Sequence, residues 1–119
     1  MSVLIVSKEK FLSLSKSEQK IAYLTFDDGP TLKATPKILD ILKEENVKAS
    51  FFVIGKCVDS HPEITKRAYD EGHFIANHGY NHNNSKLYKN DDSFINEIKN
   101  TDIEIGNAIR CFKLLLTCI

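Results

Sequence analysis

The chain lacks an excess of either charge, a C-x-x-C pair, an apolar run of membrane-spanning length, an internal repeat and any low-complexity segment. Sixteen basic residues balance sixteen acidic ones, so no net field draws the chain to nucleic acid or to an anionic membrane surface. Nucleic acid is therefore not an expected partner. The cysteines Cys57, Cys111 and Cys118 are odd in number and widely spaced, which argues against both a disulfide framework and a thiolate zinc site; free thiols are expected. The amino-terminal apolar run Val3 to Val6 is too short for a signal-peptide core and is followed at once by Lys8-Glu9-Lys10. As written, the chain shows no export signal and no membrane span, which would leave it in the cytoplasm.

What is present is a globular composition, 42% apolar and 27% charged over 119 residues, enough for one modest domain. Its organising stretch is Thr25-Phe26-Asp27-Asp28-Gly29-Pro30, which follows the apolar run Ile21 to Leu24. A strand over Ile21 to Thr25 would deliver two carboxylates at its carboxyl end, where open α/β sheets and barrels keep their ligand sites. Adjacent side chains on an extended backbone point opposite ways, so one aspartate suits a metal and its neighbour a proton. An ordinary polar turn has the same residue types, and only later blocks decide between the two.

Residues 2–6 and 11–15 read as short strands. Thr35 then Pro36 reads as an N-cap followed by proline at the first helical position. Ile38, Leu39, Ile41 and Leu42 supply one apolar face, and Asn46 closes the helix in a left-handed conformation. Ala49 to Ile54 reads as a strand buried on both faces. Asp59 or Ser60 would cap a second helix with Pro62 in its first turn, ending at Gly72, and His73 to Ala76 would form a third strand. Alternation of strand and helix implies parallel pairing. Asn83 to Asn90 reads as a loop. Asp91 or Asp92 would start a long helix with Ile95, Ile98, Ile105 and Ile109 near one stripe, interrupted by Asp102, and residues 111–119 read as one more strand.

A second chemical block, Gly72 to His82, contains His-x-x-x-His at 78 and 82. Histidines four apart meet on one face of a helical turn, so one cation can take a nitrogen from each. In a parallel sheet His78 and His82 would open on the same rim as Asp27 and Asp28. Two imidazoles and one carboxylate with positions left for water make a catalytic rather than a structural ligand set. His61, beside Pro62, is expected at the surface, and His73 as a hydrogen-bonded structural residue.

The runs Leu24 to Pro30 (LTFDDGP), Lys48 to Lys56 (KASFFVIGK) and Gly72 to His82 (GHFIANHGYNH), in that order, resemble the polysaccharide deacetylase family, the NodB-homology domain of carbohydrate esterase family 4. The likeness runs from about Lys20 to Arg110, leaving residues 1–19 as an extension ahead of a domain over 20–119. It implies an α/β fold, part of a distorted (β/α) barrel. It implies that Asp28, His78 and His82 hold a divalent metal, usually zinc, with cobalt, manganese, iron or nickel as alternatives. Asp27 would be the base that takes a proton from the water attacking the acetyl carbonyl of an acetylated polysaccharide or oligosaccharide such as peptidoglycan or chitin. The family often acts at the cell wall or outside the cell. Where it commonly carries serine or threonine after the first histidine, this chain has Gly79.

The family's later segments, Arg-Pro-Pro-Tyr, an aspartate-tryptophan pair and a leucine-x-histidine carrying the general acid, have no counterpart in these residues. The sequence therefore leads to the expectation of a chain truncated near Arg110, with an open barrel edge available for self-association. Loss of a general acid removes on the order of 10²–10⁴-fold in rate, so a non-catalytic metal- or glycan-binding remnant stands as the second reading. A magnesium phosphatase or nuclease built on Asp27 and Asp28 is disfavoured, because magnesium prefers all-oxygen shells and would not select two histidines.

Overall fold

The computed structural model describes residues 22–110. The strands expected over 2–6 and 11–15, the residues 111–119, Cys111 and Cys118 lie outside them. Three strands, β1 (Thr25–Asp27), β2 (Ser50–Val53) and β3 (Phe74–Asn77), form one sheet in the order β1-β2-β3. Both pairings are parallel, with Phe26 opposite Phe51 and Phe51 opposite Ile75. The first strand starts at Thr25, after residues 22–24 that were expected in it, and Ile21 lies outside the described residues. Between and after the strands run α1 (Ala34–Glu44), α2 (Gly55–Ser60), α3 (Pro62–Asp70), α4 (Asn84–Leu87) and α5 (Asp91–Arg110).

The helix ends show which local signals were decisive. Asn46 does close α1, at φ 52°, with its N–H on Lys43 O and the Val47 N–H on Leu42 O, the paired closure that satisfies orphan carbonyls. Gly72, at φ 84°, repeats the same pair of bonds after α3 onto Tyr69 and Ala68. Helix starts differ from expectation. Thr35 sits inside α1, where its Oγ1 accepts the Thr31 N–H at 2.9 Å, so its hydroxyl ties down the preceding loop instead of capping. Asp59 and Ser60 belong to α2, a short helix hidden by its lack of apolar periodicity. Half-buried His61 takes the cap position before Pro62.

Leu39, Leu42, Phe51, Val53, Val58 and Ile64 form the centre of the core. Only one face of β2 is fully covered: Phe51 and Val53 are buried while Ser50 and Phe52 are half-buried, so the expectation of burial on both faces does not hold. Ile41 is exposed, because the α1 contact stripe is narrower than its apolar composition. On α5 the buried positions are Glu97, Thr101 and Ala108, whereas Ile95 and Ile98 are exposed. The helix turns a different face to α2 and α3, against which it packs.

His73 is the structural histidine expected from sequence. It is 5% exposed, lies edge-on to Phe51, and its Nδ1 accepts the Ala49 N–H at 3.2 Å. The neutral ring therefore carries its proton on Nε2. Burial, with the Lys48 charge adding and Glu71 opposing, holds this imidazole below the usual histidine range. Above the ordinary value of about 6.5, neither the folded nor the unfolded state is protonated here, and the residue contributes no slope. Below it the unfolded chain takes up a proton that the folded chain refuses, so stability falls as pH falls. Urea unfolding from pH 8 to pH 5 should show this slope, up to about 1.4 kcal/mol per pH unit, and His73→Asn, whose amide oxygen can accept the same N–H, should flatten it. Equal slopes in both proteins would remove His73 as the source.

Candidate metal centre

Parallel strands place every carboxyl end on one rim. Asp27 is the last residue of β1 and Asp28 follows it, turned aside by a left-handed backbone at φ 66°. His78 follows β3 and extends its ladder, its N–H donating to Val53 O at 2.9 Å. Across the central strand, the Asp28 Oδ1 lies 3.5 Å from His78 Nε2 and 3.5 Å from His82 Nε2. The two rings are stacked, with centroids 5.2 Å apart.

The histidines do not meet on a helical turn, as their spacing first suggests. Residues 78–82 form a loop with Gly79 at φ 81° and His82 at φ 52°, and two left-handed residues fold it back so that both imidazoles reach Asp28. The three donor atoms lie within 4.8 Å of one another. Two donors each 2.0–2.1 Å from one tetrahedral ion stand about 3.4 Å apart, so the carboxylate–imidazole separations suit a shared cation. All three side chains are partly or well exposed, 31%, 55% and 59% for His78, His82 and Asp28. That openness belongs to a centre that leaves positions for exchangeable ligands, not to a closed structural site.

Sequence reasoning missed the groups that hold the loop. Asn77, ending β3, accepts the Gly79 N–H on its Oδ1 and donates from Nδ2 to Ile98 O and Asp102 Oδ1, each at 2.8 Å. Asp102, taken as an interruption of the α5 stripe, is thus an anchor. Glu97 accepts the Tyr80 and Asn81 backbone N–H groups on Oε2, both at 2.8 Å, and Asn81 Nδ2 on Oε1. The start of α2 completes the cradle, where Gly55 N–H and Lys56 N–H donate to Gly79 O and Tyr80 O. Gly55 is required by close approach: a Cβ there would stand 2.4 Å from Tyr80 Cδ2 and 2.7 Å from Thr101 Oγ1. The available signal was an acid in phase with Thr101 and Ala108, four and eleven residues on. Cys57 is a free, half-buried thiol with no part in the cluster.

Among the described residues no helix is long and apolar enough to cross a membrane. The family model described as polysaccharide deacetylase matches residues 15–113. The chain is 47% identical over 92 residues to a peptidoglycan-N-acetylglucosamine deacetylase of Bacillus cereus, covering 77% of this chain and 33% of that protein. It is 41% identical over 92 residues to a chitooligosaccharide deacetylase of Rhizobium leguminosarum bv. trifolii, covering 77% and 42% respectively. The crystal structure of the polysaccharide deacetylase Bc1974 from Bacillus cereus superposes with a TM-score of 0.70 at 46% identity, over 76% of this chain and 43% of the other. The α/β fold expected from the resemblance, part of a NodB-type barrel, is the fold shared with that structure. The chain spans about a third of the first of these relatives and well under half of the others.

Proposed function

Since the chain belongs to the polysaccharide deacetylase family, we propose that it is a metal-dependent hydrolase that removes acetyl groups from a polysaccharide built on N-acetylglucosamine, of the peptidoglycan or chitin kind. The observation that carries this reading is the convergence of Asp28, His78 and His82 on one rim, with the Asp28 carboxylate 3.5 Å from each imidazole nitrogen. These three residues would hold the ion, zinc first, with cobalt, manganese, iron or nickel able to use the same nitrogen and oxygen donors. When bound, such an ion supplies Lewis-acid charge and acidifies a water molecule.

The chain's own residues then have separate tasks. Asp27, exposed and next in sequence to a ligand, takes the proton of the water that attacks the acetyl carbonyl carbon. The proton held by Asp27 passes to the departing nitrogen as the carbon–nitrogen bond breaks, which leaves acetate and a free amine on the sugar. Asp27 ends β1 and Asp28 turns away from it at φ 66°, so the two carboxylates can take different tasks, a proton for Asp27 and the ion for Asp28. A substrate of this kind would put the work at the cell wall or outside the cell.

The test is acetate release from N-acetylglucosamine oligomers by the full chain, with zinc or cobalt added and then removed by a chelator. Metal-dependent acetate supports the proposal. Metal uptake without acetate from this chain would instead support the second reading, a metal- or glycan-binding module without turnover. Absence of metal uptake would overturn both forms of the metal reading.

A further inference from the structure

We infer that Glu97 is a positioning residue for the histidine pair. Its buried carboxylate fixes the 78–82 loop so that His78 and His82 keep the separation a shared ion needs. This rests on the metal-centre reading above and deepens it. The loop has no secondary structure to set its geometry, and its residues Asn77-His78-Gly79-Tyr80-Asn81-His82 are polar, with Gly79 and His82 both left-handed. A segment of this kind keeps a single conformation only if its backbone groups are held from outside.

Two anchors come from α2 and engage carbonyls. The donors of Tyr80 and Asn81 are gathered by Glu97: both backbone N–H groups converge on Oε2 and the Asn81 amide on Oε1, at 2.8, 2.8 and 2.7 Å. The carboxylate sits on the buried face of α5 with Thr101 and Ala108. A charge is expensive to bury without hydrogen-bonded partners, and three charge-assisted bonds to one five-residue loop supply them. Asn81 directly precedes His82, so the bond to its N–H acts one residue from a ligand. A Cβ built on Gly79 would stand 3.8 Å from Glu97 Oε2, which puts the carboxylate alongside the loop at this position.

The experiment uses the full chain without metal and then titrates zinc. Glu97→Ala should speed hydrogen exchange in the 78–82 segment at least tenfold, and lower zinc affinity by about 10–100-fold, the usual cost of losing a group that orients metal ligands. Glu97→Gln keeps one oxygen for the two backbone N–H groups and presents an amide to Asn81, so it should fall between wild type and alanine in both measurements. If Glu97→Ala does not fold, Glu97→Gln and Asn81→Ala, each removing part of the bonding, decide the matter by the same two readouts. A folded Glu97→Ala with lower thermal stability but wild-type zinc affinity would overturn the positioning role. A wild-type chain that takes up no zinc would overturn the metal reading itself, whatever the exchange data show.

Discussion

Replacing Asp27 by asparagine is expected to lower acetate release by about 10²–10⁴-fold, the usual contribution of a positioned general base. Zinc affinity should stay within a few-fold of wild type. The substitution is nearly isosteric, and Asp27 enters the sheet through its backbone opposite Phe52, so the strand has no reason to move. What disappears is the capacity to accept a proton. The pair of measurements separates roles that adjacency in sequence would otherwise blur: a ligand loses metal and rate together, whereas a base loses rate alone. Equal acetate release in both proteins would show that Asp27 is not the base, and a large loss of zinc affinity would make it part of the ion's holding set.

His78→Ala gives the complementary result, a loss of zinc affinity of at least about a hundredfold. Structural zinc sites with four ligands bind with about 10–16 kcal/mol, or some 3 kcal/mol for each ligand. His78 is the cleanest member of the cluster to remove. Its backbone is anchored by the bond from its N–H to Val53 O, and unlike Asp28 and His82 it does not occupy left-handed conformation. Calorimetric zinc titration, or the visible absorption of bound cobalt, reads the effect directly, while circular dichroism establishes that the fold is kept. Unchanged affinity would leave the three-residue cluster without its proposed purpose.

The α/β class, the parallel sheet and the identity of the rim residues were legible because strong local signals carried them. These were β-prone runs stopped by glycine, a left-handed asparagine after α1, and chemically specific side chains at strand ends. The covering stripe of α5 was legible only in its second half, where Ile105 packs against the core. Counting isoleucines selected Ile95 and Ile98 in its first half, yet tertiary packing turned Glu97 inward, because the loop after β3 offers hydrogen-bond donors that an isoleucine cannot satisfy. Helix α2 escaped notice because six residues are too few to show a period. The histidine spacing picked out two rings that the structure does bring together, but for a reason that does not hold: a helical turn was assumed where Gly79 and His82 instead reverse the chain.

The left-handed backbone at Asp28 and His82 has a further consequence. Such a conformation costs a residue with a side chain about 1–2 kcal/mol relative to glycine, and aspartate lowers that cost only through local hydrogen bonding. A polypeptide optimised for thermal endurance alone would carry glycine at both places. Engineering this scaffold for greater robustness will therefore meet a trade-off at two of the three corners of the cluster, where each gain in resistance to heat removes a proposed ligand. Hardening belongs on the far side of the sheet, away from the rim.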